Sequence, residues 1–177
     1  DVGCGSGHAL SVLATAFPNS QFVGVDPAAN MVAEATERHS SIPNVDFRVG
    51  YGEKITDTDE FDLVTTFDCM HDMTDPHGTM RAVSKALKSD GAWLIKDIRS
   101  ENTYAENLEN PMAPLMYGFS VLYCMSSALS QAGGAGLGTL GFPPAVCQTM
   151  GEAAGFTKFK VLDFEQDPFN YFYELRL

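Results

Sequence analysis

Basic residues are scarce in this 177-residue sequence: 11 Lys and Arg stand against 23 Asp and Glu, a formal net charge of -12. A surface of that sign repels a phosphate backbone, so nucleic-acid binding by this stretch is not expected. Cysteine is sparse and never closely paired. Cys4, Cys69, Cys124 and Cys147 stand singly, without a CxxC spacing. That argues against a zinc site or a disulfide framework and suits a reducing compartment, so the expected location is cytoplasmic. No apolar run is long enough to span a bilayer and no secretory signal is visible, so no membrane partner is expected. What is there is 45% hydrophobic and 11% aromatic, enough for one globular domain with its own core. The expected partner is a small molecule.

Helical and extended patterns alternate. Ala9, Val12, Leu13 and Ala16 recur at helical spacing before Phe17-Pro18, and "SQFVGVD" then reads as a short buried strand. "AANMVAEATERH" is a second helix, "VDFRV" and "FDLVTTF" are strands, and "HGTMRAVSKALK" is a helix broken by "SDG" before the apolar strand "AWLIKDI". Strands separated by helices demand right-handed crossovers, which gives an α/β fold with a parallel sheet covered on both faces. The end departs from this rule: "FTKFKVLDF" and "NYFYELRL", joined by "EQDP", predict an antiparallel hairpin. The whole of 1–177 reads as a single domain with an insertion at 99–142. There Met112, Leu115, Met116, Phe119, Leu122 and Tyr123 fall at helical spacing, followed by "GGAGLGTLG". This predicts a helical cover on a flexible hinge. Its apolar stripe either lines a substrate cavity, with Met116 and Tyr123 facing the substrate, or packs as plain core.

Chemistry is concentrated at the start, where "DVGCGSG" places Gly3, Gly5 and Gly7 at the entrance to a helix. Glycines there let the backbone approach a ligand, the third easing helix packing. A nicotinamide fingerprint would want GxGxxG with a small residue at position 8, where this chain has His8. Asp1, two places before the first glycine, offers a carboxylate to a ligand ammonium. Asp26, ending its strand, can accept the hydroxyls of a ribose.

Taken together, "DVGCGSG", "VGVDPAANM" and "FDLVTTFDCMHD" resemble the motifs of the class I S-adenosylmethionine-dependent methyltransferases. More narrowly, "FDCMHDMTDP", "GGAGLGTLG" and "DPFNYFYELR" resemble a subgroup whose full-length members carry an N-terminal winged-helix-like domain and are often labelled transcriptional regulators. The resemblance implies a Rossmann-like sheet of order 3-2-1-4-5-7-6 in the family's own counting, whose first strand ends at Asp1. A fragment is therefore expected, its sheet open or re-paired at the centre and its stability compromised. S-adenosylmethionine is the implied cofactor. Gly3, Cys4, Gly5 and Gly7 would cradle its methionine part, Asp1 would lie near the amino group and Asp26 would hold the ribose. Pro27 and Met31 would flank the adenine. Tyr51, before Gly52, stands where the family often has an acidic residue for the adenine amine, with Glu53 as a substitute. Phe67, Asp68 and His71 would border the methyl group. The resemblance leaves a homodimeric parent open.

Methyl transfer from a sulfonium is an in-line displacement that needs a base only if the acceptor must lose a proton. His71 is the candidate base, followed by Asp72, with Tyr123 a helper from the cover; alternatively His71 only packs the turn. The cluster His71, Asp72, Asp75 and His77 reads as a turn with capping carboxylates, not a metal site. The expected activity is methylation of a small, largely apolar acceptor at oxygen, nitrogen or carbon. The alternative is a non-catalytic cofactor-binding module or the ligand-sensing half of a regulator. His8 and the lack of a hydride-transfer constellation speak against a nicotinamide oxidoreductase.

Overall fold

A computed structural model describes residues 1–177. Its first half alternates as expected: α1 (His8–Ala16), β1 (Phe22–Asp26), α2 (Ala29–Arg38), β2 (Val45–Val49), β3 (Phe61–Phe67), α3 (Pro76–Ala86) and β4 (Leu87–Ile98). The insertion holds α4 (Tyr104–Leu108), α5 (Ala113–Phe119) and α6 (Met125–Ala128), the last two joined by a π-helical turn at Ser120–Cys124. Helix α7 (Pro144–Ala153) and the hairpin of β5 (Lys158–Leu162) and β6 (Asn170–Arg176) follow. No helix is long and apolar enough to cross a membrane.

The class is α/β, with a mixed pairing pattern. Strands β1 and β2 pair in parallel, as do β3 and β4, while β6 inserts between β4 and β5, antiparallel to both. Only Asp1–Gly3 joins the two sheets. Val2 bridges Val25 in parallel, its amide donates to the Thr65 carbonyl at 2.9 Å, and the Val25 amide donates to the Asp1 carbonyl at 2.9 Å. Beyond that bridge β1 and β3 face each other across an apolar slot lined by Val23, Val25, Leu63 and Val64. The expected opening at the sheet centre is present, and it leaves Leu63 half-exposed.

The core lies on the other side of β4. Burial along β4 repeats every second residue, so Trp93, Ile95 and Asp97 all point inward. Trp93 and Ile95 join Tyr173 and Leu175 of β6 against Met80 and Val83 of α3 and Cys147 and Met150 of α7. Asp97 continues that stripe to the end of the strand, which puts a fully buried carboxylate beside the turn after β3.

Three expectations need correction. Helix α3 stops at Ala86, two residues before its predicted end, because Leu87 turns extended and pairs opposite Phe61. In the cover, the buried stripe is Ala113, Ser120, Cys124 and Ala128, whereas Met112, Leu115, Phe119, Leu122 and Tyr123 are exposed. Periodicity marks a face without saying which side docks, and here small side chains let the helix lie close to the body. The glycine-rich stretch is docked, not loose: the Ala135 amide donates to the Thr74 carbonyl at 2.9 Å and the Gly138 amide to the His71 carbonyl at 3.2 Å.

Candidate active site

The strand ends β1, β2 and β3 and the end of α6 surround a cavity of about 470 Å³. Of the predicted residues, Gly3, Asp26, Pro27, Tyr51, Gly52 and Asp72 line it, and so does Glu53. Ala28, Cys69, Met73, Thr74, Ser127 and Ser130 line it as well and were not anticipated.

The glycine loop works differently from its sequence reading. Its amides face inward: those of Gly3 and Cys4 donate to the Val25 carbonyl at 2.8 and 3.2 Å, and that of Gly7 to the Cys4 carbonyl at 2.9 Å. The Gly5 amide donates to Asp26 Oδ2 at 2.9 Å, and the Ala28 amide to Asp26 Oδ1 at 2.9 Å. Asp26 therefore pins the loop to the β1–α2 turn, keeping a lone pair on each oxygen for a ligand. What the loop offers the cavity is the bare Cα of Gly3. A Cβ there would stand 2.7 Å from Cys69 Sγ, at a φ of +78° that disfavours any side chain. At Gly7 the same atom would lie 2.4 Å from the Phe47 ring, so this glycine makes room for the β2 side chain against the loop. Cys4 is buried beneath the loop, where burial and then the Asp26 charge push its thiol up to about 11.

Other predicted contacts fall away. The Asp1 carboxylate accepts from the Thr65 hydroxyl at 2.8 Å and faces the slot between the sheets, not the cavity, because its strand position points it there. Met31 lies behind Gly5, about 4 Å from where a Cβ would stand. Phe67 ends β3 outside the lining, and Asp68 is turned to Lys96, whose Nζ donates at 2.5 Å. Met116 and Tyr123 are absent from the wall, and Tyr123 is 67% exposed.

His71 is where the sequence reading gains most. It sits in a short 3₁₀ turn, Met70–Asp72, and is buried. Its Nδ1 is 2.5 Å from Asp97 Oδ1, and Asp97 also accepts from the amides of Met70 at 3.1 Å and Ile98 at 2.8 Å. That fixes the ring with Nε2 directed at Asp72, whose Oδ1 lies 3.3 Å away, buried and without a hydrogen bond of its own. Burial pulls the imidazole pKa down, but the hydrogen bond and charge of Asp97, with Asp72 and Asp68, outweigh it and leave the value raised. Cys124, on the π-helical turn, brings its Sγ within 4.8 Å of both His71 and Asp72 ligand atoms, and it already contacts Thr139 Oγ1 at 2.9 Å. Burial raises its thiol pKa, and a protonated thiol is a poor metal ligand. Asp75 caps α3 by accepting from the Gly78 amide at 2.7 Å, and His77 is exposed, so the predicted turn reading holds for them.

Asp97 carried one sequence signal, a lone acid in the apolar strand "AWLIKDI" at the inward phase of Trp93 and Ile95. Ser127, Ser130 and Cys124 carried none, since nothing in the stripe told which side of the cover faces inward.

The chain matches the family described as "Methyltransferase domain" over residues 1–141. It is 32% identical over 100 residues to the uncharacterized methyltransferase YcgJ of Bacillus subtilis (strain 168), a match covering 55% of this chain and 39% of that protein. The crystal structure of YcgJ superimposes with a TM-score of 0.66 at 23% identity, covering 92% of this chain and 62% of that one. A malonyl-[acyl-carrier protein] O-methyltransferase of Acetivibrio thermocellus is 31% identical over 91 residues, 51% of this chain and 32% of its own length. The trans-methyltransferase CalH, solved with S-adenosylhomocysteine, shares the fold at a TM-score of 0.66 and 18% identity, over 98% of this chain and 49% of that one. The matched stretches thus span well under half the length of these curated relatives. With a family match across most of its length, this chain belongs to the methyltransferase-domain family, the class I enzymes whose cofactor is S-adenosylmethionine.

Proposed function

We propose that this domain transfers the methyl group of S-adenosylmethionine to a small-molecule acceptor whose attacking atom carries a proton, and that the Asp72–His71 pair takes up that proton. The observation carrying this reading is the buried Asp97–His71 contact behind a cavity-lining Asp72. A module that only binds cofactor has no use for a carboxylate with no exposed surface that aligns an imidazole, so the non-catalytic alternative has the weaker support.

The cofactor supplies the electrophilic methyl on a sulfonium. Of the lining residues, Gly3 would let it approach the loop closely, Asp26 would offer its remaining lone pairs to ribose hydroxyls, and Pro27, Tyr51 and Glu53 would hold the base. Asp72 accepts a hydrogen bond from the O–H, N–H or acidic C–H of the acceptor and so aligns the attacking atom. As the new bond to the methyl carbon forms and the methyl–sulfur bond breaks, its electron pair leaving with the sulfur of S-adenosylhomocysteine, the proton passes to the pair, and Asp97 stabilises the imidazolium that results. His71 must first be neutral, so its raised pKa makes the rate climb with pH. The wall beside Asp72 is Thr74, Ser127 and Ser130, so the acceptor presents a polar edge there rather than the largely apolar body first expected. Four free cysteines fit the reducing cytoplasm as the place of action.

Calorimetric titration with S-adenosylhomocysteine tests the binding half, and S-adenosylhomocysteine release from S-adenosylmethionine with phenols, amines and carboxylic acids as acceptors tests the chemistry. Micromolar binding with acceptor-dependent release is expected. A folded chain that binds no S-adenosylhomocysteine would sink the reading.

A further inference from the structure

The outer face of the cover has no role in the site. Between Glu109 and Glu152 the sequence holds no Asp, Glu, Lys, Arg or His, in a chain of net charge -12. On the outer side of that segment Met112, Leu115 and Phe119 follow one another at i, i+3 and i+7, a seam spacing for helix pairing. The π-helical turn at Ser120–Cys124 adds a residue to the winding, so both Leu122 and Tyr123 carry the seam onward, 70% and 67% exposed. The patch is continuous: the rings of Phe119 and Tyr123 lie 6.4 Å apart, and Tyr104 of α4 packs beside Tyr117 of α5 at 5.5 Å. With Leu108, Val121 and Leu129 also exposed, the apolar side chains of this face offer roughly 1,000 Å² to a partner, at about half of some 200 Å² each. The largest patch of a typical monomer is about 300–600 Å². A stable interface needs about 800 Å² from each partner.

We propose that this face is the twofold interface of a homodimer, in which the α5–α6 helix of one protomer packs against that of its partner. The rest of the surface is acidic, and two such surfaces repel; the charge-free cover is where two copies approach without that cost. The same charge disfavours an anionic lipid surface as the occupant. The inner side of the same helix docks through Ala113, Ser120, Cys124 and Ala128 onto the body, so pairing of the outer side holds the cavity wall at Ser127 and Ser130 in place.

Sedimentation equilibrium of the intact chain from 1 to 100 µM tests this. The expected result is a species of twice 19.2 kDa, with association at least as tight at 500 mM as at 50 mM NaCl, since salt screens the acidic repulsion and leaves an apolar seam intact. Leu115→Glu with Leu122→Glu should yield a monomer whose melting and S-adenosylhomocysteine binding match the parent's; both positions are solvent-exposed, so the substitutions leave the core untouched. A parent chain that stays monomeric at 100 µM, a dimer unaffected by the two glutamates, a dimer that dissociates in salt, or heterogeneous larger species would each overturn the proposal. So would a monomeric chain that pelleted with phosphatidylserine vesicles, which would assign the face to lipid.

Discussion

The turn after β3 and the cover above it invert the usual distribution of residues in opposite ways. At the turn, groups that belong in water are buried: His71 is 4% exposed and Asp97 not at all. In the cover, groups that belong in a core stand in water, from Tyr104 to Leu129. The turn settles its account internally, because Asp97 receives two backbone amides and the imidazole and leaves no lone charge. The cover has no such internal compensation: its outer side chains touch one another, Phe119 beside Tyr123 and Tyr104 beside Tyr117, and stay exposed. The one buried polar atom of the His71 pair left without a hydrogen bond, Asp72 Oδ1, belongs to the residue that lines the cavity, and the exposed apolar face carries the dimer proposal.

The strongest way to break the comparison is to remove the imidazole. His71→Ala should lower methyl transfer about 10²–10⁴-fold while S-adenosylhomocysteine affinity stays within about twofold, because His71 does not line the cavity. Since Asp97 would then be buried alone, at a cost on the order of 3–5 kcal/mol, His71→Gln provides a folded control that can still donate to Asp97 but cannot take a proton. Unchanged turnover in either variant reduces His71 to a packing residue.

Asp97→Asn comes next and sharpens the electrostatic side. In the parent the rate should rise through a pKa above the ordinary histidine value of about 6.5. The asparagine removes the charge that raises this value and leaves the burial that lowers it, so the rising limb moves to lower pH. The plateau should fall about a hundredfold as the ring loses its alignment. Stability follows the same sign: a raised histidine pKa stabilises the fold fully below about pH 6.5 and loses that contribution as pH climbs through the folded value. A pH profile that did not move would show that Asp97 holds the backbone of Met70 and Ile98 and does nothing for His71.

These two residues also show how far the sequence could be read. His71 was legible because a histidine after a strand end, within "FDCMHD", is unusual enough to single out; Asp97 had only its phase with Trp93 and Ile95 in "AWLIKDI", a cue that its place near the strand end offsets. Only the period-two burial of β4, fixed by its neighbours β3 and β6, turns it inward. The same limit explains Asp1 and Asp26. Both were read as ligand contacts from their motif positions, but a strand neighbour gives Asp1 to Thr65, whereas Asp26 stays at the cavity and takes on a second task, holding the amides of Gly5 and Ala28. The alternation of helices and strands and the closing hairpin were readable because they depend on local pattern and turn chemistry. Which face of the cover docks depends on the shape of the body beneath it, and no periodicity contains that.

A smaller effect is expected at the glycine loop. Asp26→Ala removes the acceptors for the Gly5 and Ala28 amides as well as the lone pairs left for a ligand. S-adenosylhomocysteine should bind about tenfold more weakly, roughly 1.4 kcal/mol, with the fold retained because Asp26 lies at the strand end outside the core. Affinity that stayed unchanged would mean the cavity is held by backbone alone and would move the ribose away from Asp26.

The smallest expected effect separates the two sides of the cover. Tyr123→Ser removes a ring that is two-thirds exposed and absent from the cavity wall, so kcat/KM for any acceptor found should stay within about twofold. Ser127→Ala, four residues on and at the wall, should instead raise KM a few-fold through loss of one hydrogen bond worth about 1 kcal/mol. If the tyrosine variant lost activity and the serine variant did not, the helix would face the cavity with the opposite side during turnover, and the outward stripe would belong to the substrate and not to a second protomer.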